Sequence, residues 1–539
     1  MKRFRPALFL AISLAIFAGS ATADGPAKYV ILLIGDGMGW WQADAAERYL
    51  NGGPLAMKGL EHFGYMTTYM RNPTDPKGPL SGEYWEDGSV VGSYDPARGG
   101  YTPWEKNPVP AYVQQGATDS AAAAGAMLDG HKCAKYTLNV KAKAEGYDAG
   151  KPWEVKFLNT IVDYAVAAGK GTGAVTSVNF YHSTPAASVV KSPYRKNHSE
   201  KIRQMMDSKL DVIMGAGHPY YDDNGRSVTP DWSKSEWSMN RGPYLENGDG
   251  EALFNAAVAG YGGRTFIETK ADFEALAHGA HPGGAPHRVM GVAQVAATLQ
   301  FNRGGSSYGS ASTPDTLPAL DGALVPNAPS LETMTKGALK VLEKNPNGFW
   351  LMVEGGAIDW AGHAGNLKRN IEEIIDFDHS VRAVLDWVHD PSNGSNWTNT
   401  LVIVTADHET GQLQPVGNVY GNDVLAHECW GVNCEGWARH TNQLVPIWAQ
   451  GLCAKSLAAR RTGDYRDNTD IFKVMYEAVT GKAVDNASYL DGCLEIPMPD
   501  FKYGSGQSVS DFEAGLNLSS ASPDYRFPVM EADTLYELY

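Results

Sequence analysis

The stretch Tyr29–Gly37 reads YVILLIGDG and contains the pattern that decides the fold. An apolar, β-rich run is followed at once by a glycine, an aspartate and a second glycine. A short continuous apolar run of this kind is typical of a buried strand in a parallel sheet. The polar residues after it then lie at the carboxyl end of the strand, where open parallel sheets bind their ligands.

Similar apolar runs recur along the chain and alternate with helical patterns. The further runs are Gly173–Val178, Leu210–Met214, Phe349–Val353 and Leu401–Thr405. The helical patterns are Val155–Ala168, Leu331–Leu342, Ile371–Val388 and Asp470–Val479. This alternation predicts an α/β fold in which a large, mostly parallel sheet is sandwiched between helices.

The amino terminus has the pattern of a secretory signal peptide. Lys2, Arg3 and Arg5 precede the apolar run Ala7–Ala18, and the small-residue cleavage signature Ala21-Thr22-Ala23 follows it. The apolar run is shorter than the roughly 20 residues that a membrane span needs. We therefore expect the first 23 residues to be removed and the protein to be exported, to the periplasm or out of the cell. No later stretch is long and apolar enough to span, so we expect no membrane span in the mature chain.

The mature chain, residues 24–539, is interpreted as one large domain with insertions. The candidate chemical residues are spread from Asp36 to His440 and have to converge in space. Two stretches without periodicity, near 69–116 and 301–328, are predicted to be long surface insertions, which in compact domains are usually functional or mobile.

The chain is acidic, and this limits its partners. The formal net charge is -16, and removal of the three basic residues of the signal peptide changes it to -19. A protein of this charge should repel nucleic acid phosphates and anionic lipids. If it acts on anions, bound metal cations and a few buried arginines have to supply the positive charge.

Five cysteines lie in the mature part of an exported chain, where disulfides form. Proximity in sequence favours the pairs Cys429 with Cys434 and Cys453 with Cys493. Cys133 is then the cysteine that is left over, although sequence alone does not prove the connectivity.

Carboxylates and imidazoles follow three of the predicted strands. Asp359 and His363 are four residues apart, so they share one face of a helical turn, and with His440 they form a common zinc set. Asp36, Asp407 and His408 form a second set. A lone aspartate or histidine is more often a cap or an ion-pair partner, but the recurrence of these residues at strand ends favours two metal sites.

Ser120 begins an alanine-rich helical segment after Gly116-Ala117-Thr118-Asp119. The free amides and the dipole at a helix N-terminus stabilise an oxyanion, which favours Ser120 as a nucleophile. The alternative is that Thr118, Asp119 or Ser120 is an ordinary helix cap. The two metal sets decide for the nucleophile.

Together these segments resemble the alkaline phosphatase family over most of the mature chain. The matching motifs, in chain order, are Gly35-Asp36-Gly37, Thr118-Asp119-Ser120, His182 to Ala187, Glu354 to His363, Asp407-His408-Glu409 and His440-Thr441. The resemblance implies an alkaline-phosphatase-like fold and hydrolysis of phosphate monoesters through a phosphorylated Ser120. It also implies two zinc ions, the first held by Asp359, His363 and His440 and the second by Asp36, Asp407, His408 and Ser120.

Further roles rest on the resemblance alone. It implies a third ion, usually magnesium, held by Asp36, Thr184 and Glu354, and it places Arg195 as the phosphate clamp. The alternative for Arg195 is an ordinary surface arginine, although a guanidinium that grips two phosphate oxygens suits such a site. Family members are commonly homodimers, so a homodimer is expected, but the sequence identifies no interface.

Three residues are expected around the ligands or facing the substrate, namely Asp119, His182 and Trp360. His182 occupies a position that is aspartate in some relatives and histidine in others, so the third ion could be magnesium or zinc. Trp360 stands where some relatives carry a cation near the phosphate, and a neutral indole there should hold product phosphate less tightly. The alternative for Trp360 is a packing role.

Other activities on the same scaffold remain open. A sulfatase is disfavoured because the chain lacks the Cys-x-Pro-x-Arg segment of that class. A phosphodiesterase is disfavoured, less firmly, by Arg195, and a metal-dependent phosphomutase is a further rival. A non-catalytic, exported metal-binding protein is the alternative from a different class.

Overall fold

The structure of the chain is a computed structural model. It describes residues 26–70, 100–102, 111–114, 116–133, 135–142, 155–192, 194–240, 247–282, 284–305, 324–460 and 465–484. The predicted signal peptide, Cys493 and most residues of the two predicted insertions lie outside this part of the chain. Among the described residues, no helix has the length and the apolar composition needed to cross a membrane.

Most of the described strands belong to one sheet of ten strands. The strands are β1 Tyr29–Gly35, β2 His62–Thr67, β3 Val140–Ala142, β4 Val155–Phe157, β5 Gly171–Asn179, β6 Val212–Ala216, β7 Thr265–Ile267, β8 Val289–Val292, β9 Phe349–Gly355, β10 Thr400–Thr405, β11 Glu409–Thr410, β12 His440–Thr441, β13 Val445–Gly451 and β14 Tyr465–Asp467. The order in the large sheet is β14-β2-β13-β10-β1-β9-β5-β6-β8-β7, and β3–β4 and β11–β12 form two separate pairs.

The five predicted strands are all present as the centre of this sheet. They are β10, β1, β9, β5 and β6, which pair in this order and run parallel to one another. Within the large sheet, β13 runs antiparallel to both of its neighbours, β10 and β2. The prediction of a large, mostly parallel sheet is therefore confirmed.

The helices cover both faces of the sheet. They are α1 Trp40–Tyr49, α2 Ser120–Asp129, α3 Ile161–Ala167, α4 Ser183–Ala186, α5 His198–Asp207, α6 Gly250–Val258, α7 Lys270–Ala277, α8 Leu331–Leu342, α9 Ala357–His363, α10 Leu367–His389, α11 Ala454–Ala459 and α12 Thr469–Thr480. Successive side chains of a strand point to opposite faces. In β9 the Phe349 ring packs 5.3 Å from Trp387 of α10, whereas the Trp350 indole reaches Met475 of α12.

One predicted helix begins later than expected. The pattern Val155–Ala168 was predicted to be helical throughout, but Val155–Phe157 is strand β4, paired with β3. Helix α3 starts at Ile161, because Thr160 and Asp163 form a capping box that fixes the first turn at this point. β-Branched Val155 and aromatic Phe157 favour a strand over a helix, which explains the error.

The register of the sheet brings the predicted ligands to one level. Ile34 of β1 lies opposite Thr405 of β10 on one side and opposite Glu354 of β9 on the other. Asp36 and Asp407 follow these strands directly, so their carboxylates and that of Glu354 meet at the same edge. Gly37 allows this approach: its φ is +70°, and a Cβ there would lie 2.8 Å from Cα of Asp359.

Candidate active site

The first predicted metal set comes together at the carboxyl end of β9. Asp359 and His363 lie one turn apart on α9, which starts directly after this strand, and His440 reaches them from β12. Asp359 Oδ1 is 3.3 Å from His363 Nε2 and 3.4 Å from His440 Nε2. The spacing prediction for these three residues is thus met by their placement.

His363 and His440 each form a hydrogen bond through Nδ1, which leaves Nε2 available as a metal ligand. His363 Nδ1 donates to the carbonyl oxygen of Ala438 at 2.5 Å, and His440 Nδ1 donates to that of Thr118 at 2.7 Å. A neutral imidazole that carries its proton on Nδ1 has only an acceptor at Nε2. The two Nε2 atoms nevertheless face each other at 3.0 Å. A divalent cation between two acceptors fits this arrangement.

The surroundings of the first set favour an ionised Asp359 and a neutral His440. Burial opposes ionisation of Asp359, yet His363 and His440 hold the pKa of its carboxyl well below the usual range. Burial lowers the pKa of His440, partly offset by Asp359. An ionised carboxylate beside neutral imidazoles is the protonation state in which these groups bind a metal.

The second set is fully buried at the ends of β1 and β10. His408 Nε2 lies 3.4 Å from Asp36 Oδ1 and 3.2 Å from Asp407 Oδ2. Burial, together with the negative charges of neighbouring carboxylates that include Asp359 and Glu354, raises the pKa of Asp36 and of Asp407 well above the usual range. Asp36 Oδ1 and Asp407 Oδ2 have no hydrogen-bond partner among the described residues. Two buried carboxylates with bare oxygens fit a site that a cation completes.

A third set lies beside the second and shares Asp36 with it. His182 Nδ1 is 3.9 Å from Asp36 Oδ2 and 3.7 Å from Glu354 Oε1, and all three groups could hold one ion. Thr184 Oγ1 donates to Asp36 Oδ2 at 3.4 Å. Glu354 Oε1 is buried without a partner in the described part of the chain, while its Oε2 accepts from Thr176.

Ser120 begins α2 and lies against the second set. Its Oγ is 3.3 Å from His408 Nε2, and the residue is buried. Asp119 caps the helix, and its carboxylate accepts from the amides of Ala121 and Ala122. The helix cap is therefore Asp119 and not Ser120, and the role of Ser120 as a nucleophile stays a prediction.

Asp119 also anchors Arg195. Arg195 Nη1 donates to Asp119 Oδ2 at 2.8 Å, and Nη2 donates to His182 Nε2 at 3.3 Å. Burial opposes ionisation of Asp119, but the neighbouring guanidinium lowers the pKa of its carboxyl. Arg195 is therefore a buried group held between the Ser120 segment and the third set, and not a surface arginine.

Trp360 lies on α9 between two environments. Its indole packs against a small apolar cluster that includes Val178, Phe301 and Ala364. The ring also lies 6.3 Å from that of His182. The structure therefore places Trp360 both in a packing position and beside the third set.

The sequence pattern did not single out several residues that hold the ligands. Thr410 Oγ1 donates to Asp359 Oδ1 and lies 3.2 Å from His408 Nδ1, which links the first two sets. Glu409 is buried and accepts from Gln42 and Thr441, and burial raises the pKa of its carboxyl to about 7. Their position directly after His408 was a signal, but the role of a hydroxyl or a buried acid becomes visible only with its partners.

The predicted disulfide between Cys429 and Cys434 is present, with a Cα–Cα distance of 4.8 Å. Cys133 is buried and takes no part in it. The second predicted pair stays a prediction, because Cys493 lies outside the described residues.

Comparisons with known proteins point to one family. The model of the family described as alkaline phosphatase matches residues 110–430. Alkaline phosphatase of Escherichia coli K12 is 28% identical over 490 residues, which cover 85% of this chain and 87% of that protein. Alkaline phosphatase 3 of Bacillus subtilis is 28% identical over 306 residues, which cover 55% of this chain and half of that protein.

Solved structures show the same fold. Alkaline phosphatase from the Antarctic bacterium TAB5 superimposes with a TM-score of 0.52 at 22% identity, covering 85% of this chain and 99% of that one. A histidine-to-glutamate mutant of the TAB5 protein, with the same scores, holds magnesium in a site called M3. Since the family model spans more than half of the chain, the protein belongs to the alkaline phosphatase family, a family of metal-dependent phosphomonoesterases.

Proposed function

We propose that this chain hydrolyses phosphate monoesters through a phosphoserine at Ser120, next to two zinc ions and one magnesium ion. The first zinc belongs to Asp359, His363 and His440, and the second to Asp36, Asp407 and His408, with Ser120 beside it. One observation carries the proposal: the ligand atoms of each set lie within 4.8 Å of one another, and the buried Ser120 hydroxyl lies 3.3 Å from His408 of the second set.

The donor atoms fit divalent cations. The first two sets offer carboxylate oxygens and imidazole nitrogens, the mixture that zinc prefers. Asp36 and Asp407 each have a buried carboxylate oxygen without a hydrogen-bond partner among the described residues. A bound cation would compensate for the missing hydrogen bonds. When bound, a pair of zinc ions supplies Lewis-acid stabilisation of the attacking and leaving oxygens of an in-line displacement.

The chain's own residues account for the nucleophile and for the grip on the substrate. Ser120 Oγ forms a bond to phosphorus while the ester oxygen leaves, and the amides at the start of α2 stabilise the negative charge. Water then attacks phosphorus, the bond to Ser120 Oγ breaks, and inorganic phosphate is released. Arg195 can turn guanidinium N–H groups to the non-bridging oxygens of the dianion, while its contact with Asp119 fixes its position.

Magnesium suits the third set, with Asp36, Glu354 and Thr184 as the oxygen donors. Arg195 donates to His182 Nε2, and His182 Nδ1 lies 3.9 Å from Asp36 Oδ2 and 3.7 Å from Glu354 Oε1. His182 Nδ1 has no hydrogen-bond partner among the described residues, and the oxygen atoms around it are the donors on which this part of the proposal rests. Hard oxygen donors favour magnesium over zinc, and the magnesium in the TAB5 mutant supports a magnesium site in this fold.

The proposal includes the setting of the enzyme. The first 23 residues are a signal peptide, residues 24–539 form one catalytic domain, and the protein works in the periplasm or outside the cell. Disulfides such as Cys429–Cys434 form and persist in these oxidising settings. A homodimer is the expected assembly. Mass spectrometry of the secreted protein would locate the mature amino terminus, and an intact residue 1–23 segment in the exported protein would refute the signal peptide.

The experiment that tests the function couples metal analysis with substrate choice. Purified enzyme should contain about two zinc ions and one magnesium ion per chain, and it should hydrolyse a chromogenic monoester far faster than the matching diester or sulfate ester. Full activity after verified removal of all metal would refute the metal sites. A preference for the diester or the sulfate ester would refute the substrate class.

A further inference from the structure

The disulfide closes a short loop that packs on the segments flanking the first metal set. We call residues 429–434 the disulfide loop. It lies between Thr410, which ends β11, and His440, which begins β12. These two residues pair with each other in the β11–β12 ladder. The loop is therefore built into the connection that carries one of the three ligands.

Backbone hydrogen bonds fasten the disulfide loop to the segment after β11. Gly431 N lies 3.2 Å from the carbonyl oxygen of Gly411 and 3.0 Å from that of Gln412, so its proton is shared between them. Gln414 N donates to the carbonyl oxygen of Cys429 at 2.9 Å. The neighbouring Thr410 holds Asp359 through its hydroxyl. A shift of the loop would therefore reach a ligand through two residues of backbone.

Trp430 connects the disulfide loop to helix α9, which bears Asp359 and His363. Its buried indole covers Gly411, where an added Cβ would lie 2.5 Å from the ring carbon Cε3. The same added Cβ would lie 2.8 Å from the carbonyl oxygen of Gly362 on α9. A Cβ added at Gly365, two residues after the helix, would lie 3.7 Å from Cδ1 of the same indole, at ordinary contact distance. The glycines thus leave room for one large ring against the end of α9.

The far end of the disulfide loop leads to the third ligand. Gly436 N donates to the carbonyl oxygen of Trp430 at 2.8 Å, and Gly411 N donates to that of Arg439 at 3.0 Å. Between these points, the Ala438 carbonyl accepts from His363 Nδ1, and His440 follows two residues later. The loop therefore contacts, or continues into, the carriers of all three first-set ligands.

The second metal set is held differently. Asp36 and Asp407 directly follow β1 and β10, two paired strands at the centre of the sheet. Asp407 Oδ1 accepts from the amides of Gly37 and His408, which fix it locally. Thr410 Oγ1 also lies 3.2 Å from His408 Nδ1 of the second set, but the loop contacts or continues into the carriers of all three first-set ligands. A change in the disulfide loop should therefore act on the first set more than on the second.

We propose that the disulfide loop is a clamp for the first metal ion, with Trp430 as its positioning residue. The oxidised pair Cys429–Cys434 keeps Trp430 on Gly411 and α9, so that Asp359, His363 and His440 stay converged. Reduction loosens the clamp and speeds release of the first ion. The inference rests on the proposed zinc sites.

Zinc release tests the clamp without relying on activity. Wild type and the double variant Cys429→Ser/Cys434→Ser are loaded with zinc and mixed with a chromogenic chelator, and release is followed per chain. Substitutions that disturb the support of metal ligands typically weaken metal binding about 10- to 100-fold. One of the two zinc ions of the double variant should therefore leave about 10- to 100-fold faster, and the other at the wild-type rate.

A phosphine reductant provides the matched control. With one water molecule, the phosphine gives two electrons to the disulfide, which yields two thiols and a phosphine oxide. Reduced wild type should release zinc like the double variant, whereas the phosphine should not change the double variant further. An effect of the phosphine on both proteins would assign the change to another bond.

Substitutions of Trp430 distinguish a role in positioning the first set from a general role in folding. Trp430→Ala should reproduce the fast phase, and Trp430→Phe, which keeps a ring on Gly411, should restore much of the slow release. In an Asp359→Ala background, which removes the first set, the serine substitutions should not change release of the remaining ion.

The clamp would be overturned if reduction accelerated the release of both zinc ions equally. It would also be overturned if the folded, reduced enzyme released both ions at the rate of the oxidised enzyme. Either result would leave the proposed function intact as long as oxidised wild type holds two zinc ions and phosphorylates Ser120. An oxidised wild type that binds no zinc would instead refute the proposed function.

Discussion

At the scale of single residues, Arg195 has a side-chain position that is fixed by neighbouring groups and that would allow it to bind an anion. One edge of the guanidinium contacts Asp119 and the other approaches His182. A guanidinium can grip two non-bridging oxygens of a monoester dianion, whereas a diester has one of these oxygens esterified. The residue should therefore matter unequally for the two substrate classes.

Arg195→Ala should lower kcat/KM for a monoester by roughly 30- to 1000-fold, because a charge-assisted pair contributes about 2 to 4 kcal/mol in a partly dehydrated site. Diester hydrolysis should fall much less, and inhibition by inorganic phosphate should ease. Both substrates are measured at one pH and one salt concentration. Equal losses on both substrates would remove Arg195 from the clamp role.

Thr410 links the first and second metal sets through one hydroxyl. His408 Nδ1 can donate to Thr410 Oγ1, which in turn donates to Asp359. In this arrangement His408 Nε2 carries no proton and lies beside Ser120 Oγ. Thr410→Val keeps the shape and removes the hydroxyl. It should weaken zinc binding about 10- to 100-fold.

Thr410→Ser is the matched control, since it keeps the hydroxyl and removes only a methyl group. It should retain most of the zinc affinity. If valine and serine at this position bind zinc equally well, the hydroxyl has no part in holding the ligands. The affinities are measured by competition with a chelator of known strength.

At the scale of elements, the sequence predicted the central strands and their ligands for one physical reason. Apolar runs buried on both faces, such as Tyr29–Ile34, are distinctive, and the residues after them are placed by the sheet register. The spacing of Asp359 and His363 predicted their common face in the same way. The local sequence pattern was sufficient to predict the position of a residue where regular secondary structure determines its neighbours.

Other features depended on contacts that local pattern does not contain. Val155–Phe157 pairs with β3 as a strand, although its polarity also suits a helix. Thr410 and the carbonyl of Ala438 act through partners that lie far away in sequence. The sequence alone also could not show that Arg195 bonds to Asp119, because only the packed chain brings these residues together.

Helix α10 contains a buried charge cluster that predicts a pH dependence of stability. Arg303 forms a two-pronged pair with Glu372, and the adjacent Glu373 is buried. Burial, together with the charges of Glu372 and Asp376, raises the pKa of Glu373 to about 8. The folded state therefore binds this proton more tightly than the unfolded state, so stability falls as pH rises from the ordinary carboxyl range to about 8.

Glu373→Gln should remove this loss, because the amide stays neutral at every pH. Relative to wild type, the variant should gain thermal stability between pH 5 and pH 9, by an amount on the order of a few kcal/mol at the alkaline end. Thermal melting at both pH values measures it. A difference between variant and wild type that does not change with pH would show that Glu373 does not titrate in this range.

At the scale of the whole molecule, the metals offset a concentration of buried negative charge. Asp36, Glu354, Asp359 and Asp407 converge in the interior of a chain whose formal net charge is already -16. Without cations these carboxylates repel one another, and three of their oxygens have no hydrogen-bond partner in the part of the chain that the structure describes, namely Asp36 Oδ1, Glu354 Oε1 and Asp407 Oδ2. Metal binding to the folded state alone stabilises that state by mass action.

Removal of metal by a strong chelator should therefore abolish activity and also lower the melting temperature. Zinc should restore both, and magnesium should add to the recovered activity. The chelator is removed before the melting scan, and a metal-replete sample passed through the same steps serves as the control. An unchanged melting temperature after verified metal removal would contradict the charge argument.

In the proposed reaction Ser120 carries the phosphoryl group during turnover, and trapping of the phosphoenzyme tests this role. Enzyme is mixed with a monoester labelled in its phosphoryl group, quenched with acid during turnover and digested, and the labelled peptide is sequenced. Wild type should carry the label on Ser120, and Ser120→Ala should carry none. Label on another residue of wild type, or undiminished label in Ser120→Ala, would contradict it.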